Sequence, residues 1–464
     1  MTNSSKPIDT IQQCLANYAC ELTWDDLTTE AVHATKVRII DTLGALTGGF
    51  FGPTCQIARN LAARLPNPSG ATVIGTRLKT TPDMAAFVNG TTARYVEMND
   101  AYHSPGVFGG HPSDVIMPVL AVAEHAHASG REFMVAVVLA YEVYLRLADA
   151  VVNPPGFDYT NYICAGTALA AGKLLNLSSI ELAHCISIAV VPNNALFQSR
   201  TGHLSMWKAA AAGQAGRAGV FAALLARAGM EGPHLPYEGK AGWCDHVARK
   251  RFSLDAFGGH GNPYKVQETI IKPRSLCAAT ISSVLAAEKV APLSNIRDVD
   301  KVTVEVYKKA KDYVGTDENC WNPDSRETAD HSIPYVVAAT LIDGTASPRS
   351  LDDAHLWNPD LRALMKKIEV VENAEYTKAY GQHPVEHHTR ITVIKRNGDQ
   401  LVAKVGGDQD DLAAHKSDAE IENKFRGLTE DTLGARRSKA ILARLWKLDR
   451  IENVGEIPAA FVVS

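Results

Sequence analysis

No Cys-x-x-Cys pair occurs among the eight cysteines (Cys14, Cys20, Cys55, Cys164, Cys185, Cys244, Cys277, Cys320), so neither a zinc ribbon nor a disulfide framework is expected. Their dispersion also argues against an iron-sulfur cluster, which needs thiolates gathered in one place. Motifs of the HExxH, GxSxG and P-loop types are missing, and the short GGF, GGH and IGT fragments do not make a dinucleotide fingerprint. The charge is nearly balanced, 47 Lys and Arg against 51 Asp and Glu, and no basic tract is interleaved with aromatic residues. Binding to nucleic acid or to an anionic membrane surface is not expected. The most apolar stretch, FMVAVVLAYEVYLRLADAVV, contains Glu142, Arg146 and Asp149 and reads as a buried helix rather than a bilayer span. The first residues lack a basic segment followed by an apolar one, and a soluble cytoplasmic protein is the simplest expectation.

What is present is a long chain, 464 residues with 46% hydrophobic residues, able to bury a large core. From about Thr28 to Met230 apolar residues recur at three- and four-residue spacing in windows rich in Ala and Gly. This pattern predicts helices packed on helices at short distance. After Ile271 the texture changes. KVTVEVYKK, KKIEVVEN and TRITVIKRNGDQLVAKV alternate β-branched residues, and Asn397-Gly398 predicts a type I′ hairpin turn. The fold expected is mainly α: a large all-α domain over 1–270 with 408–464, and a smaller α+β domain over 271–407.

The densest group of ionisable residues lies between Glu97 and Asp114, in EMNDAYHSPGVFGGHPSD, a Gly- and Pro-rich loop bounded by helical text. Acid-base catalysis needs groups whose pKa burial and neighbours can move, and Glu97, Asn99, Asp100, His103 and His111 supply carboxylates beside imidazoles. Asp114, just ahead of VIMPVL, reads instead as a helix cap. Lys208 opens an Ala/Gly-rich helix and either points a cation into a pocket or snorkels to the surface. Lys272 and Arg274 stand where two cations oppose a helix dipole, which fits an anionic ligand or an interdomain salt bridge. In WNPDSRETADHSIPY the reading is architectural: Asp330 and Ser332 as caps, Arg326 with Glu327 as an ion pair. Tyr313 is a candidate hydroxyl donor.

In order along the chain, RIIDTLGALTGG, AAFVNGTTARYVEMNDAYH, GGHPSDVIMPVL, MWKAAAAGQAGRAGVFAALLARAGMEGP, IIKPRSLCAAT, RETADHSIPYVVAATLIDG and ENKFRGL resemble the MmgE/PrpD family, which includes 2-methylcitrate dehydratase, cis-aconitate decarboxylase and iminodisuccinate epimerase. The resemblance implies a helical domain with an α+β lid, a homodimer, and a cleft active site without metal or cofactor. It places the family's acidic loop on Glu97 to Asp100, its active-site histidine on His111 and its active-site lysines on Lys208 and Lys272. Departures are Glu97 where Asp is usual, Ala101 for Thr, Thr160 where the decarboxylases carry His, and Cys277 where several members place His. The loop from His103 to His111 also looks longer than in the decarboxylases. The implied activity is a hydro-lyase acting on a small polycarboxylate of the 2-methylcitrate type. Asp100, His103, His111 and Lys208 would be catalytic, and Glu97, Asn99, Thr160, Lys272, Arg274, Cys277 and Tyr313 would face substrate. Decarboxylation or epimerisation at the same site, and a noncatalytic dimeric binding protein, are the alternatives.

Overall fold

The computed structural model describes residues 8–152, 154–254 and 256–463, and the protein is mainly α-helical. Its centre is a stack in which the helix Pro82–Tyr95 packs on Trp207–Arg227, that helix on Thr160–Leu174, and Thr160–Leu174 on Gly130–Val151. Small residues allow these axes to approach closely. A Cβ at Gly213 would stand 2.5 Å from the Phe87 carbonyl oxygen, and one at Gly90 3.1 Å from the Gly213 Cα. Hydrogen at both positions is what lets the two helices cross, and the crossing fixes how deep Lys208, five residues before Gly213, enters the protein.

Gly130–Val151 begins with a capping box formed by Ser129 and Glu132 and is buried almost all round, as its apolar sequence predicts. Glu142, fully buried within it, accepts from the backbone N–H of Gly258 at 2.9 Å and of Lys265, and pairs with Arg146 at 3.0 Å. The charge is thus compensated inside the fold rather than exposed to lipid. Among the described residues one helix, Trp207–Arg227, is long and apolar enough to cross a membrane by composition; it sits in the helical stack with its small residues against Pro82–Tyr95 and Thr160–Leu174.

Two hydrophobic cores are separate. The first gathers residues from Ile11 to Ile271 and again from Ile421 to Phe461; the second gathers Ile270 to Leu412 with Ala101. The second is built on a four-stranded sheet in the order Ile368–Glu372, Val299–Val306, Thr389–Lys395, Gln400–Val405. Its first pair is parallel and the others antiparallel. Val302, Val304 and Val306 alternate inward against the helices Ala278–Glu288 and Ile333–Asp343. Asn397-Gly398 does form a hairpin, but not with the type I′ turn expected. Only Gly398 has positive φ (89°), its N–H donates to Lys395 O, and the Lys395 N–H donates to Asp399 O. These are the marks of a three-residue loop with Gly in the left-handed position, which accommodates the right-handed strand twist as well.

The chain then returns to the first core. The helix Asp418–Leu433, capped by Ser417 and Glu420, buries Phe425 against Gly44. Lys424 on this helix pairs with Asp41 at 2.6 Å and donates to the Met98 carbonyl at 2.9 Å.

Candidate active site

Glu97 follows the end of the Pro82–Tyr95 helix with a left-handed backbone (φ 57°), a conformation that costs a non-glycine residue roughly 1–2 kcal/mol. A carboxylate beside a helix C-terminus is also opposed by the dipole. Both costs are offset by what the position brings together. Arg94, one turn earlier, grips Glu97 with both guanidinium nitrogens, while Lys272 Nζ lies 3.0 Å from Oε1 and Lys208 Nζ 3.3 Å from Oε2. Burial alone would raise the Glu97 pKa, but Arg94, Lys208 and Lys272 together hold it well below 4.5. Lys272 is completely buried, and that burial, opposed by Glu97, leaves its pKa lowered.

His111 stands at the edge of this group. Its Nδ1 is 2.6 Å from the Asp100 carbonyl oxygen, which can only accept, so Nδ1 carries the hydrogen and Nε2 faces Glu97 Oε1 at 3.4 Å. Burial, reinforced by the positive charges of Arg94 and Lys272, lowers the His111 pKa to about 3, so the ring is neutral. Asp100 does not reach the cations: Oδ1 accepts from the Ser113 N–H at 2.8 Å and Oδ2 from the Tyr141 hydroxyl at 2.9 Å. It orients the loop that carries His111. Asp114 is not a cap either; it lies inside the short 3-10 turn Pro112–Val115, 3.7 Å from Arg94 Nε, and burial lifts its pKa to about 7 against the pull of Arg94. The 3-10 turn that contains Asp114 leads directly into the helix Ile116–His125 and supplies the backbone geometry a cap would have set, so the carboxyl faces Arg94.

Lys208 is buried rather than snorkelling, with Nζ 2.8 and 2.7 Å from the two oxygens of Asp330 and 3.2 Å from His331 Nδ1. Asp330 is therefore an ion-pair partner, not the cap its sequence position suggests, whereas Ser332 does cap the following helix by accepting from the Tyr335 N–H. Cys277 precedes the helix Ala278–Glu288, and its N–H donates to the Asp330 carbonyl at 3.3 Å. Burial opposes ionisation of its thiol, but His331 overrides this and holds the pKa low. His331 in turn is lowered by burial and raised more strongly by Cys277 and Asp330, reaching about 9. Tyr313 packs its ring edge-on to His331 with centroids 5.7 Å apart. Arg326 does not pair with Glu327 but lies 4.4 Å over the Tyr95 ring.

Two expected residues lie elsewhere. Arg274 is half-buried and bound by both nitrogens to Glu288, at 2.7 Å each, within the second core. His103 meets the ring of His387 instead of the Glu97 group. Asn99 and the Thr160 hydroxyl are buried beside the site, and neither side chain has a hydrogen-bond partner within the protein. Such groups cost about 1–3 kcal/mol unless something else satisfies them.

Sequence reasoning passed over Arg94 and the buried pair of Arg200 with Asp158 (3.1 Å). Arg200 also donates to the Lys208 carbonyl at 2.8 Å and to the Tyr159 hydroxyl at 3.0 Å, supporting the start of the Lys208 helix. The spacing of Arg94 and Glu97, one helical turn apart, was a usable signal; nothing local marks Arg200.

The arrangement gathers Arg94, Lys208 and Lys272, three cations, around two carboxylates, Glu97 and Asp330, with a neutral imidazole alongside. Such a group can bind an anion with several carboxylates and accept a proton next to one of them. The MmgE/PrpD N-terminal domain matches residues 13–255 and the MmgE/PrpD C-terminal domain residues 275–448; the chain belongs to the MmgE/PrpD family. It is similar to the cis-aconitate decarboxylase of Homo sapiens, 28% identical over 374 residues covering 74% of this chain and 73% of the relative. The 2-methylcitrate dehydratase of Escherichia coli is 26% identical over 367 residues, 74% of each chain, and the mitochondrial one of Yarrowia lipolytica 28% over 404 residues, 82% of this chain and 76% of the relative.

Proposed function

We propose that the protein is a hydro-lyase that dehydrates a small polycarboxylate of the 2-methylcitrate type. The observation that carries this reading is the convergence of Arg94, Lys208 and Lys272 on one buried point beside the neutral, hydrogen-bonded ring of His111. In this reading the cations bind substrate carboxylates and stabilise the enolate-like charge that grows as the neighbouring carbon loses its proton. His111 Nε2 takes that proton. Its low basicity in the free protein comes from burial and neighbouring cations, and the negative charge of a bound polycarboxylate opposes both. Asn99, Thr160, Cys277 and Tyr313 line the substrate, Asn99 and Thr160 gaining the hydrogen bonds they lack.

The free space at Glu97, Lys208 and Asp330, about 10 Å³ for the centre of a water-sized sphere, has room for about one water molecule and none for a polycarboxylate. Substrate entry in this reading therefore requires the second core, which brings Lys272, Cys277 and Asp330, to move as a lid. The family relationship also motivates a homodimer working without metal or organic cofactor. Incubation of the protein with 2-methylcitrate and with cis-aconitate, following alkene absorbance and released CO2 in parallel, tests the reaction. New absorbance without CO2 is expected; CO2 release from cis-aconitate would replace dehydration by decarboxylation. Thr160, which occupies a position where the decarboxylases carry histidine, favours the first outcome.

A further inference from the structure

His103 projects from a two-residue hairpin, His103–Ser104 paired with Val107–Phe108, that fills the stretch between the acidic loop and His111. The preceding residue but one, Ala101, bridges to Ile270, so the hairpin is tied to the segment that carries Lys272. The ring of His103 points into the second core. Its Nδ1 lies 2.7 Å from His387 Nε2, and His387 Nδ1 lies 2.9 Å from Asp411 Oδ1. Asp411 is locked: it also accepts from the backbone N–H groups of His387 (2.6 Å), Gly407 (3.0 Å) and Ala413 (2.8 Å). The edges of Tyr380 meet both imidazoles, and Tyr307 stacks on Tyr380 with centroids 4.1 Å apart while also meeting His387 edge-on. None of this is required to close a hydrophobic core.

With one ring proton on His387, the direction of the chain follows from donors and acceptors. Asp411, holding three N–H groups and the His387 ring, is a carboxylate; burial opposes its ionisation, but those hydrogen bonds hold its pKa far below the usual range. His387 Nδ1 must then carry a hydrogen, and with no second proton on that ring its Nε2 is the acceptor. His103 Nδ1 is therefore the donor between the two rings, and Nε2 is the atom of His103 through which a proton enters or leaves.

We propose that His387 and Asp411 are positioning residues for His103, fixing its ring so that Nε2 delivers a proton to the leaving hydroxyl of the substrate; this rests on the dehydratase reading above. The balance is simple. The carbon-bound proton goes to His111, the electron pair left behind forms the double bond, and the C–O bond breaks with its pair on oxygen. That oxygen takes the proton from His103 Nε2 and departs as water. Nε2 is buried in the closed protein, so His103, which borders a cavity of about 960 Å³ with Tyr102, Thr269 and His383, regains its proton from solvent when the site opens to release product. His111 returns its proton to solvent.

The charged and titratable groups acting on His103 are His387, His111 and Lys272, which with burial disfavour its charged form, and Asp411, which favours it. The free enzyme holds the ring neutral. Binding of a polycarboxylate beside Lys272 supplies the negative charge that, with Asp411, stabilises the imidazolium. Because His103 belongs to the first core and its two supports to the second, the donor is oriented only when the cores are together.

The test uses the full-length wild type, Asp411→Asn and His387→Gln. In wild type, long-range 1H-15N spectra should show His103 protonated on Nδ1, and in Asp411→Asn a mixture of tautomers. With 2-methylcitrate as substrate, both variants should lose about 10- to 100-fold in kcat with KM within 3-fold. In Asp411→Asn the alkaline limb of the kcat pH profile should move to lower pH, because the charge that favours protonated His103 is gone. Loss of kcat with an unmoved limb would make the pair merely structural and overturn the proposal. So would wild-type His103 protonated on Nε2, a result that needs no variant to fold. Absence of dehydration by wild type would instead refute the dehydratase reading, whatever the tautomer.

Discussion

The Glu97 group and the His103–His387–Asp411 chain are both buried and both join the two cores, yet they are built on opposite plans. Around Glu97 charge is plentiful: three cations share one carboxylate, and the positions of the hydrogens matter less than the sum of charges. In the chain ending at Asp411 a single locked carboxylate sets the hydrogen on each ring in turn. One arrangement suits holding an anion and the charge that develops on it; the other suits directing one proton. A site that must do both has reason to keep them apart, since the cations that bind an anion also depress the basicity of nearby imidazoles, as at His111.

Several substitutions would break or sharpen this contrast. The largest effect is expected from Lys208→Ala or His111→Ala: kcat/KM for 2-methylcitrate should fall about 10²- to 10⁴-fold while far-UV circular dichroism is unchanged. Full activity in both would remove the Glu97 group from the site. Next is Glu97→Gln, which leaves buried cations uncompensated and should cost about 3–5 kcal/mol in urea unfolding. Because the folded-state carboxyl is held far below its unfolded value, this stabilisation is whole above about pH 5 and is lost as pH falls through the folded pKa; the variant should have a flatter acid limb of stability.

A third measurement concerns His331, raised to about 9 by Cys277 and Asp330 despite its burial. A histidine with a raised folded pKa contributes stability that is complete below about pH 6.5 and disappears as pH rises through the folded value. Wild-type Tm should therefore decline between pH 7 and pH 9, and His331→Gln should be less stable at pH 7 with most of that slope gone. An unchanged slope would place the titration elsewhere. The smallest effect is expected at Arg274, whose half-buried pair with Glu288 lies outside the Glu97 group. Arg274→Ala should lose about 1 kcal/mol or less and keep kcat within 2-fold; a large rise in KM would return it to substrate binding.

The helical first half was legible because Ala/Gly windows with helical spacing leave few alternatives, and the strands because β-branched alternation is equally plain. The turn at Asn397-Gly398 was not fully legible: the dipeptide fixes where the chain reverses, while loop length decides which residue takes positive φ. Glu97, His111, Lys208 and Lys272 could be singled out as ionisable residues in apolar or glycine-rich text. Arg94 was hidden because an arginine near a helix end looks like any solvated one until the fold buries it. Asp330 was misread for a local reason, since Asp-His-Ser before an apolar helix has the composition of a cap, and only the arrival of Lys208 from 122 residues away changes its role. His387 and Asp411 carry no local signal at all, because their partner His103 is supplied by the other core.

Lys424, on the returning C-terminal helix, has a reach beyond packing. By pairing with Asp41 and donating to the carbonyl of Met98, it fastens the backbone immediately after Glu97 to a helix whose lysine lies 326 residues further along the chain. Arg94, Glu97, Lys208, Lys272 and Asp330 all precede that helix in the chain, so the Glu97 group can be complete while this tie on the neighbouring backbone is still missing. The brace on the site is therefore made after the groups it steadies.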